Sequence, residues 1–478
     1  MTFKMTLRRM AVKASVWLLL AGCVASVALA CCGAEKSLDF MKYYAAIGTV
    51  GALAVVCLVA AAFTWRRPAV LALHLGLALV LGGWTYNEFF GPRDGYLRLR
   101  AGQYGRVAEN GSAQWFDFEL ADFSIDRWPD TGTVRQYTSA GYTWTPDAVG
   151  KAHRSPASIS VNHPLAKNGW WIYQSSFEEL ENPHTGEPLY FTILQCVKDV
   201  GLPFAALGGA LLLLGALWYS LTGLGFRVSS FGFRVSQCRN QEPETLKLPN
   251  SQTPKFSNSQ TLKLSNFQTF KLSNFLYFLV FFGAIAMLVH RTLATGHPPM
   301  QNMYEFLMCM AAFIPVLTFL SAKVDGENTL LVDALLTTVV LMPVSFFMDG
   351  SVRRLMPALQ SPFFVPHVGA YVVGYVLLVR AALGAGRRLV PVGFFLLTLG
   401  LVLGAAWGKV CWGHWWQFDP KEMWSLATWL VYAAYFHLAP RLSSRAKSVF
   451  LVVGAVMIVL TLTWINLSRI FTGMHSYA

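Results

Sequence analysis

Apolar residues in this chain gather into runs of about twenty, and runs of that length match the hydrocarbon thickness of a bilayer. The pattern predicts eleven membrane spans, near residues 11–32, 43–64, 68–90, 200–221, 275–293, 303–321, 330–348, 367–385, 390–408, 424–439 and 448–467. Between the third and fourth runs the period changes. Apolar and polar residues alternate in Tyr96-Leu-Arg-Leu-Arg100, Trp115-Phe-Asp-Phe-Glu-Leu120, Ala157-Ser-Ile-Ser-Val161 and Trp170-Trp-Ile-Tyr173, with Gly, Pro and Asn between them. Alternation of that kind marks half-buried strands. The expected fold class is therefore a polytopic α-helical membrane protein of about eleven transmembrane helices with a small external β-rich domain.

A second interruption, residues 222–274, is polar, basic and repetitive. Gly225-Phe-Arg-Val-Ser229 recurs as Gly232-Phe-Arg-Val-Ser236, and an eight-residue unit begins at Asn250, Asn258 and Asn266. Units that short do not build a stacked repeat fold, so the segment reads as a flexible cytoplasmic tether. The organisation is then helices over 1–90, a β-rich domain over 91–198, a helix over 199–221, the linker over 222–274, and a second helical domain over 275–478.

The chain has 478 residues, 54% of them hydrophobic, and a net charge of +13. In a membrane protein such a surplus comes from Lys and Arg in cytoplasmic loops, so it does not call for a nucleic-acid partner. Lys4, Arg8, Arg9 and Lys13 keep the N-terminus inside. Alternate counting then puts Arg66-Arg67, the linker, Lys323, Arg387-Arg388, Arg441, Arg445 and Lys447 inside as well. Outside fall 91–198, 290–302, 349–366, the 408–424 turn and the C-terminal tail, with Arg353-Arg354 as an exception to the charge rule. Leu20-Ala-Gly-Cys23 resembles a lipoprotein cleavage site, but the apolar run continues past Cys23, which fits an anchor better; either outcome leaves the later sides unchanged. The eight cysteines form no C-x-x-C and no C-x-x-C-H, so neither a thiol redox motif nor an attached c-type haem is encoded. The adjacent Cys31-Cys32 pair reads as membrane-embedded thiols.

Within this frame the richest stretch is Gly408-Lys-Val-Cys-Trp-Gly-His-Trp-Trp-Gln-Phe-Asp-Pro-Lys-Glu-Met-Trp424. Trp412, Trp415, Trp416 and Trp424 surround a charged helix start, Asp419-Pro420-Lys421-Glu422. An interfacial belt accounts for one or two indoles. Four in thirteen residues suit a flat ligand held on aromatic faces beside a few fixed polar groups. Sorted by depth, the histidines pair. His367, at the outer start of its span, and His475, in the outer tail, share the level of this turn. His74 and His437 lie deeper, toward the cytoplasmic side, where ionisable groups point to function. Two imidazoles from different helices can clamp an iron from both sides, as in a b-type haem site. His290, His297 and His414 are weaker candidates, and His153, His163 and His184 read as surface residues of the β domain.

The segment Trp-Gly-x-x-Trp-x-x-Asp-Pro-Lys-Glu is similar to the tryptophan-rich signature of haem-handling proteins in cytochrome c biogenesis. Gly296-His-Pro-Pro-Met-Gln-Asn-Met-Tyr-Glu305, Pro366-His-Val368, Leu430-Val-Tyr-Ala-Ala-Tyr-Phe-His437 and His475-Ser-Tyr-Ala478 narrow the resemblance to the CcsA (ResC) type of system II cytochrome c synthase. Leu71-Ala-Leu-His-Leu-Gly76, Gly95-Tyr-Leu-Arg-Leu-Arg100 and Val161-Asn-His-Pro-Leu165 with Trp171-Ile-Tyr-Gln-Ser-Ser176 resemble its partner, CcsB (ResB). The chain thus looks like a natural fusion of both subunits. The resemblance implies a holocytochrome c synthase of the haem lyase type. It would carry haem b to the outer face of a bacterial inner membrane and attach it to the C-x-x-C-H thiols of apocytochrome c. A thioredoxin-like thiol reductant and membrane lipid are the other implied partners. By the same resemblance His74 and His437 ligate haem in transit and His367 and His475 hold it outside. Trp412, Trp415, Asp419, Pro420 and Trp424 form the catalytic platform beside Trp416. Lys421 or Arg469 is placed by charge and side to meet haem propionates. Phe418 stands where the family usually has Trp, and the β domain is short for the CcsB half. The rival readings are a bis-His membrane cytochrome for electron transfer, a haem transporter without ligase activity, and a solute transporter. The first gives no reason for the Trp-rich turn, and the last would show repeat-related halves.

Overall fold

The computed structural model of the chain describes residues 40–92, 95–108, 115–146, 152–181, 186–224, 259–325 and 327–468. Its helices are α1 (Phe40–Phe63), α2 (Pro68–Phe90), α3 (Leu202–Gly223), α4 (Ser259–Thr295), α5 (Met303–Leu320), α6 (Leu330–Phe346), α7 (Phe364–Ala382), α8 (Val390–Trp412), α9 (Pro420–Leu438) and α10 (Ser444–Ser468). They coincide with ten of the predicted spans; the first, with Cys23 and Cys31-Cys32, lies outside the described residues. Among the described residues, seven helices are long and apolar enough to cross a membrane, and Gly48–Phe63 and Leu330–Phe346 are shorter apolar ones. The chain is a polytopic helical membrane protein. α4 begins at Ser259, inside the stretch read as linker, while 225–258 lie outside the described residues. No proline follows Pro254 there, and extending an existing helix backward adds one hydrogen bond per residue ordered.

The region between α2 and α3 forms two four-stranded antiparallel sheets. One has β1 (Gly95–Leu99), β8 (Pro188–Val197), β7 (Trp170–Glu181) and β6 (Leu165–Lys167) in that order. The other runs β2 (Tyr104–Ala108), β3 (Trp115–Arg127), β4 (Val134–Pro146) and β5 (Ala152–Ser160). Phe116, Phe118 and Leu120 of β3 turn inward against Ile172 and Leu194, so both sheets share one core. The alternation that predicts strands is the alternation that builds this core.

α2 and α3 pack backbone to backbone. A Cβ at Gly76 would fall 2.6 Å from the Leu212 nitrogen, so the contact exists only because both helices carry small residues there. α3 is joined to α8 by Ser220 Oγ, which donates to the Pro391 carbonyl at 2.7 Å. The larger core gathers Ile314, Val376, Leu378, Phe394, Tyr432 and Leu451 from α5, α7, α8, α9 and α10. The β domain sits over the end of this bundle where α7 starts and α8 stops. Trp128 Nε1 donates to Leu355 O at 3.3 Å, and Gln360 Nε2 donates to Arg135 O at 2.9 Å. Arg354 pairs with Asp130 at 2.7 Å, holding that exposed carboxyl below its usual range.

Candidate functional site

The Trp-rich turn is a helix end followed by a helix start. α8 terminates at Gly413 with φ +82°, where a Cβ would press within 3.0 Å of the Tyr173 ring. α9 starts from a capping box. Asp419 accepts the Lys421 N–H at 2.8 Å, and Glu422 Oε2 accepts the Gln417 and Asp419 N–H groups at 2.9 and 3.2 Å. Asp419, Pro420 and Glu422 are thus the residues a helix N-terminus prefers at N-cap, N1 and N3. Phe418 takes φ +58° to bring the chain into that cap. Lys421 lies in the first helical turn, and Arg469 and His475 lie outside the described residues.

Because the chain reverses here, the four indoles point to different neighbours. Trp412 stacks on Trp407, ring centres 6.0 Å apart and planes 29° from parallel. Trp415 Nε1 donates to Asp199 Oδ2 at 2.7 Å, and Lys409 reaches the same oxygen at 3.2 Å. The nitrogens of Gln195 and His414 stand 2.6 Å apart. Trp415 and His414 therefore fasten the turn to the end of the β domain. Trp416 packs with Met423, Trp424, Val431 and Met457, and Trp424 is buried in that cluster. Trp412, Trp415 and Trp416 are each partly buried and Trp424 is buried, so the four indoles do not share one face.

Trp412 and Cys411 form the floor of a cavity of about 920 Å³ between the helices and the β domain. Tyr137, Gln174 and Phe177 line it from β4 and β7, and Arg353 and Pro357 line it from the loop before α7. A space of that volume lies in the range of cofactor-sized ligand sites.

His367 stands in the first turn of α7. Its Nδ1 donates to the Gly400 carbonyl at 2.8 Å, which leaves the lone pair on Nε2. Tyr371 and Trp407 meet the ring edge to face at 5.0 and 5.6 Å. Gly404 makes the approach possible, since a Cβ there would lie 2.6 Å from His367 Cε1. Gly404→Ala is expected to push the imidazole off this position and weaken any ligand held by it about ten-fold or more, measured as haem retained by the purified chain.

His74 of α2 and His437 of α9 meet, as the depth argument requires. Their ring centres are 5.9 Å apart with planes at 81°. Each Nδ1 donates at 2.8 Å to a carbonyl four residues earlier, Val70 for His74 and Ala433 for His437. Both rings thus carry the lone pair on Nε2, the tautomer a metal ligand needs. The pair lies at the bundle end remote from the β domain, where the two rings meet edge to face.

The other histidines are not gathered at these places. His290 and His153 are exposed, and His297 binds the Pro298 carbonyl at 3.0 Å; His184 lies outside the described residues. Among the described residues, no three His, Cys, Asp or Glu side chains cluster as a metal-ion site. Sequence reasoning misses Trp407, Gly404, Asp199 and Asn162. Trp407 precedes the Trp-rich stretch by a single residue, and widening that window was the available signal; the other three act only through tertiary contacts.

The chain resembles known proteins in two places. The family profile described as "Cytochrome C assembly protein" matches residues 384–475, and the "ResB-like family" profile matches 49–189. Similar curated proteins include "Cytochrome c biogenesis protein CcsA" of Prochlorococcus marinus (strain MIT 9303), 30% identical over 256 residues that cover 40% of this chain and 79% of that protein. The protein of the same name from Synechococcus sp. (strain CC9605) is 30% identical over 252 residues, 82% of its length. That of Chlamydomonas reinhardtii is 28% identical over 231 residues, and the chain spans 64% of its length.

Proposed function

This chain belongs to the CcsA family of cytochrome c biogenesis proteins and carries a ResB-like region ahead of its CcsA-like part, and from that premise we propose that it moves haem across a membrane and joins it to apocytochrome c. The His74–His437 pair supports the reading: one ring comes from the ResB-like region, the other from the cytochrome-assembly region, and the two meet with centres 5.9 Å apart. Haem b is the cargo. His74 and His437 would hold it first, then His367 and His475 beside Trp412, with Trp415, Trp416, Trp424, Asp419 and Pro420 fixing the shape of that place. Arg66-Arg67, Arg387-Arg388 and Arg441 all lie at the end away from the β domain, which supports a cytoplasmic assignment for that end and a periplasmic one for the cavity in a bacterial inner membrane.

The reaction is an addition without net redox change. Each thiol S–H of C-x-x-C-H adds across a haem vinyl C=C, sulfur to the carbon next to the ring and the proton to the terminal carbon. The chain's share is to hold haem edge and thiols together in the cavity above Trp412 and to keep water out. A thioredoxin-like reductant would supply the thiols in reduced form.

Coexpression with an apocytochrome in a host lacking its own maturation system tests this. Covalent haem on the apocytochrome after denaturing electrophoresis is expected with the intact chain and lost with His367→Ala. Haem bound only to this chain, with none transferred, would overturn ligase activity and leave a bis-His membrane cytochrome.

A further inference from the structure

Asn162 lies in the β domain, in the Val161-Asn-His-Pro-Leu165 turn, far in sequence from any ligand histidine. It adopts φ +66°, a left-handed conformation that Asn tolerates better than most residues. From there its side-chain NH₂ reaches three carbonyls of the loop before α7: Pro357 at 2.9 Å, Ala358 at 3.2 Å and Gln360 at 3.1 Å. Three acceptors around one group fix the amide orientation, because only the nitrogen can donate. Neighbouring Val161 packs into the same cluster as Leu359, Phe364 and Trp407.

The Ala358 carbonyl gripped by Asn162 also accepts the indole N–H of Trp407 at 3.0 Å. Trp407 is buried, stacks on Trp412 and meets His367 edge to face. A continuous set of contacts therefore runs from the β domain through the 357–360 loop to Trp407, and from there to both His367 and the cavity floor. We infer that Asn162 and Trp407 are positioning residues for His367, so that the ResB-like region sets the orientation of a ligand belonging to the other half of the chain. The inference rests on the reading that His367 ligates haem iron. It gives the joining of the two regions a physical purpose: the ligand is correctly turned only while the β domain is docked.

Asn162→Asp keeps size and left-handed tolerance but turns a carboxylate toward three carbonyls. Trp407→Phe keeps an aromatic ring in the site but removes the N–H to Ala358 and shortens the side chain by one ring. The full chain, purified with haem, is compared in both variants and in His367→Ala for haem per chain, low-spin fraction and response to added imidazole. Each positioning variant is expected to weaken haem binding at His367 about ten-fold or more and to shift that haem to high spin, as outer-sphere losses do. Imidazole should restore the low-spin signal, while haem at His74 and His437 stays. If both variants keep wild-type affinity and spectrum while His367→Ala loses its haem, the inference falls and the haem reading stands. If His367→Ala itself changes nothing, the haem reading falls and the inference with it. Equal loss at both haem places without imidazole rescue would show a general packing role and also overturn the inference.

Discussion

His437→Ala is expected to abolish haem at the remote pair and, with it, covalent cytochrome formation. The two Nε2 atoms owe their lone pairs to Nδ1–H bonds within their own helices, so each imidazole already has the tautomer that metal ligation through Nε2 would need. Under the proposed ligation, removing one ring would leave the iron with a single protein ligand, a larger loss than the roughly 10–100-fold that an outer-sphere partner contributes. Haem per purified chain and the reduced-minus-oxidised spectrum read the effect, and the apocytochrome reporter reads its consequence. Added imidazole separates ligation from folding: it should return the low-spin spectrum in the alanine variant. His74→Ala should behave alike, and the double variant should be scarcely worse than either single one, since two ligands of one iron act as a unit. Normal haem content in His437→Ala would remove the foundation of the transport step.

Nearly all the helices could be read from the chain, because a bilayer demands a long apolar run for every crossing. α9 is the instructive case. It is not among the helices apolar enough to qualify on composition, and Asp419-Pro420-Lys421-Glu422 announces its start instead. The strands were legible from alternation, whereas the pairing of β1 with β8 across the whole domain was not, since register over such distances is set by the shared core. The exception to the charge rule has a structural cause. Arg354 pairs with Asp130 and donates to Thr295 O at 2.9 Å, and Arg353 pairs with Asp349 at 3.1 Å, so both serve the loop that carries the β domain. Depth counting brought His74 and His437 together, because rise per residue is fixed in a helix. The flat platform of four indoles was not found as such. Spacing in a turn does not set side-chain direction, and the capping box sends Trp415 to Asp199 and Trp424 into the core.

Arg380→Leu is expected to destabilise the helical domain by about 3–5 kcal/mol, the usual result of leaving one partner of a buried pair behind. Arg380 and Asp333 are both fully buried, bonded at 2.6 and 2.8 Å through two guanidinium nitrogens. Thr318 and Thr329 add hydroxyl bonds to the carboxylate at 2.8 and 2.7 Å, and Ser321 accepts from the guanidinium at 3.1 Å. The network ties α5, α6 and α7 together at the end away from the β domain. In a bilayer the orphaned Asp333 would have to take up a proton or draw in water, and both routes cost stability. Asp333→Leu should be equally harmful, while Arg380→Met with Asp333→Leu together should recover most of the loss, because no charge then stays unpaired. Thermal unfolding of the detergent-solubilised chain, followed by the fraction remaining monodisperse, measures this. The double variant should also keep haem at His74 and His437, since the pair supplies rigidity and not ligation. A double variant as unstable as either single one would show that the ion pair itself, and not merely the avoidance of a lone buried charge, holds α6 to α7.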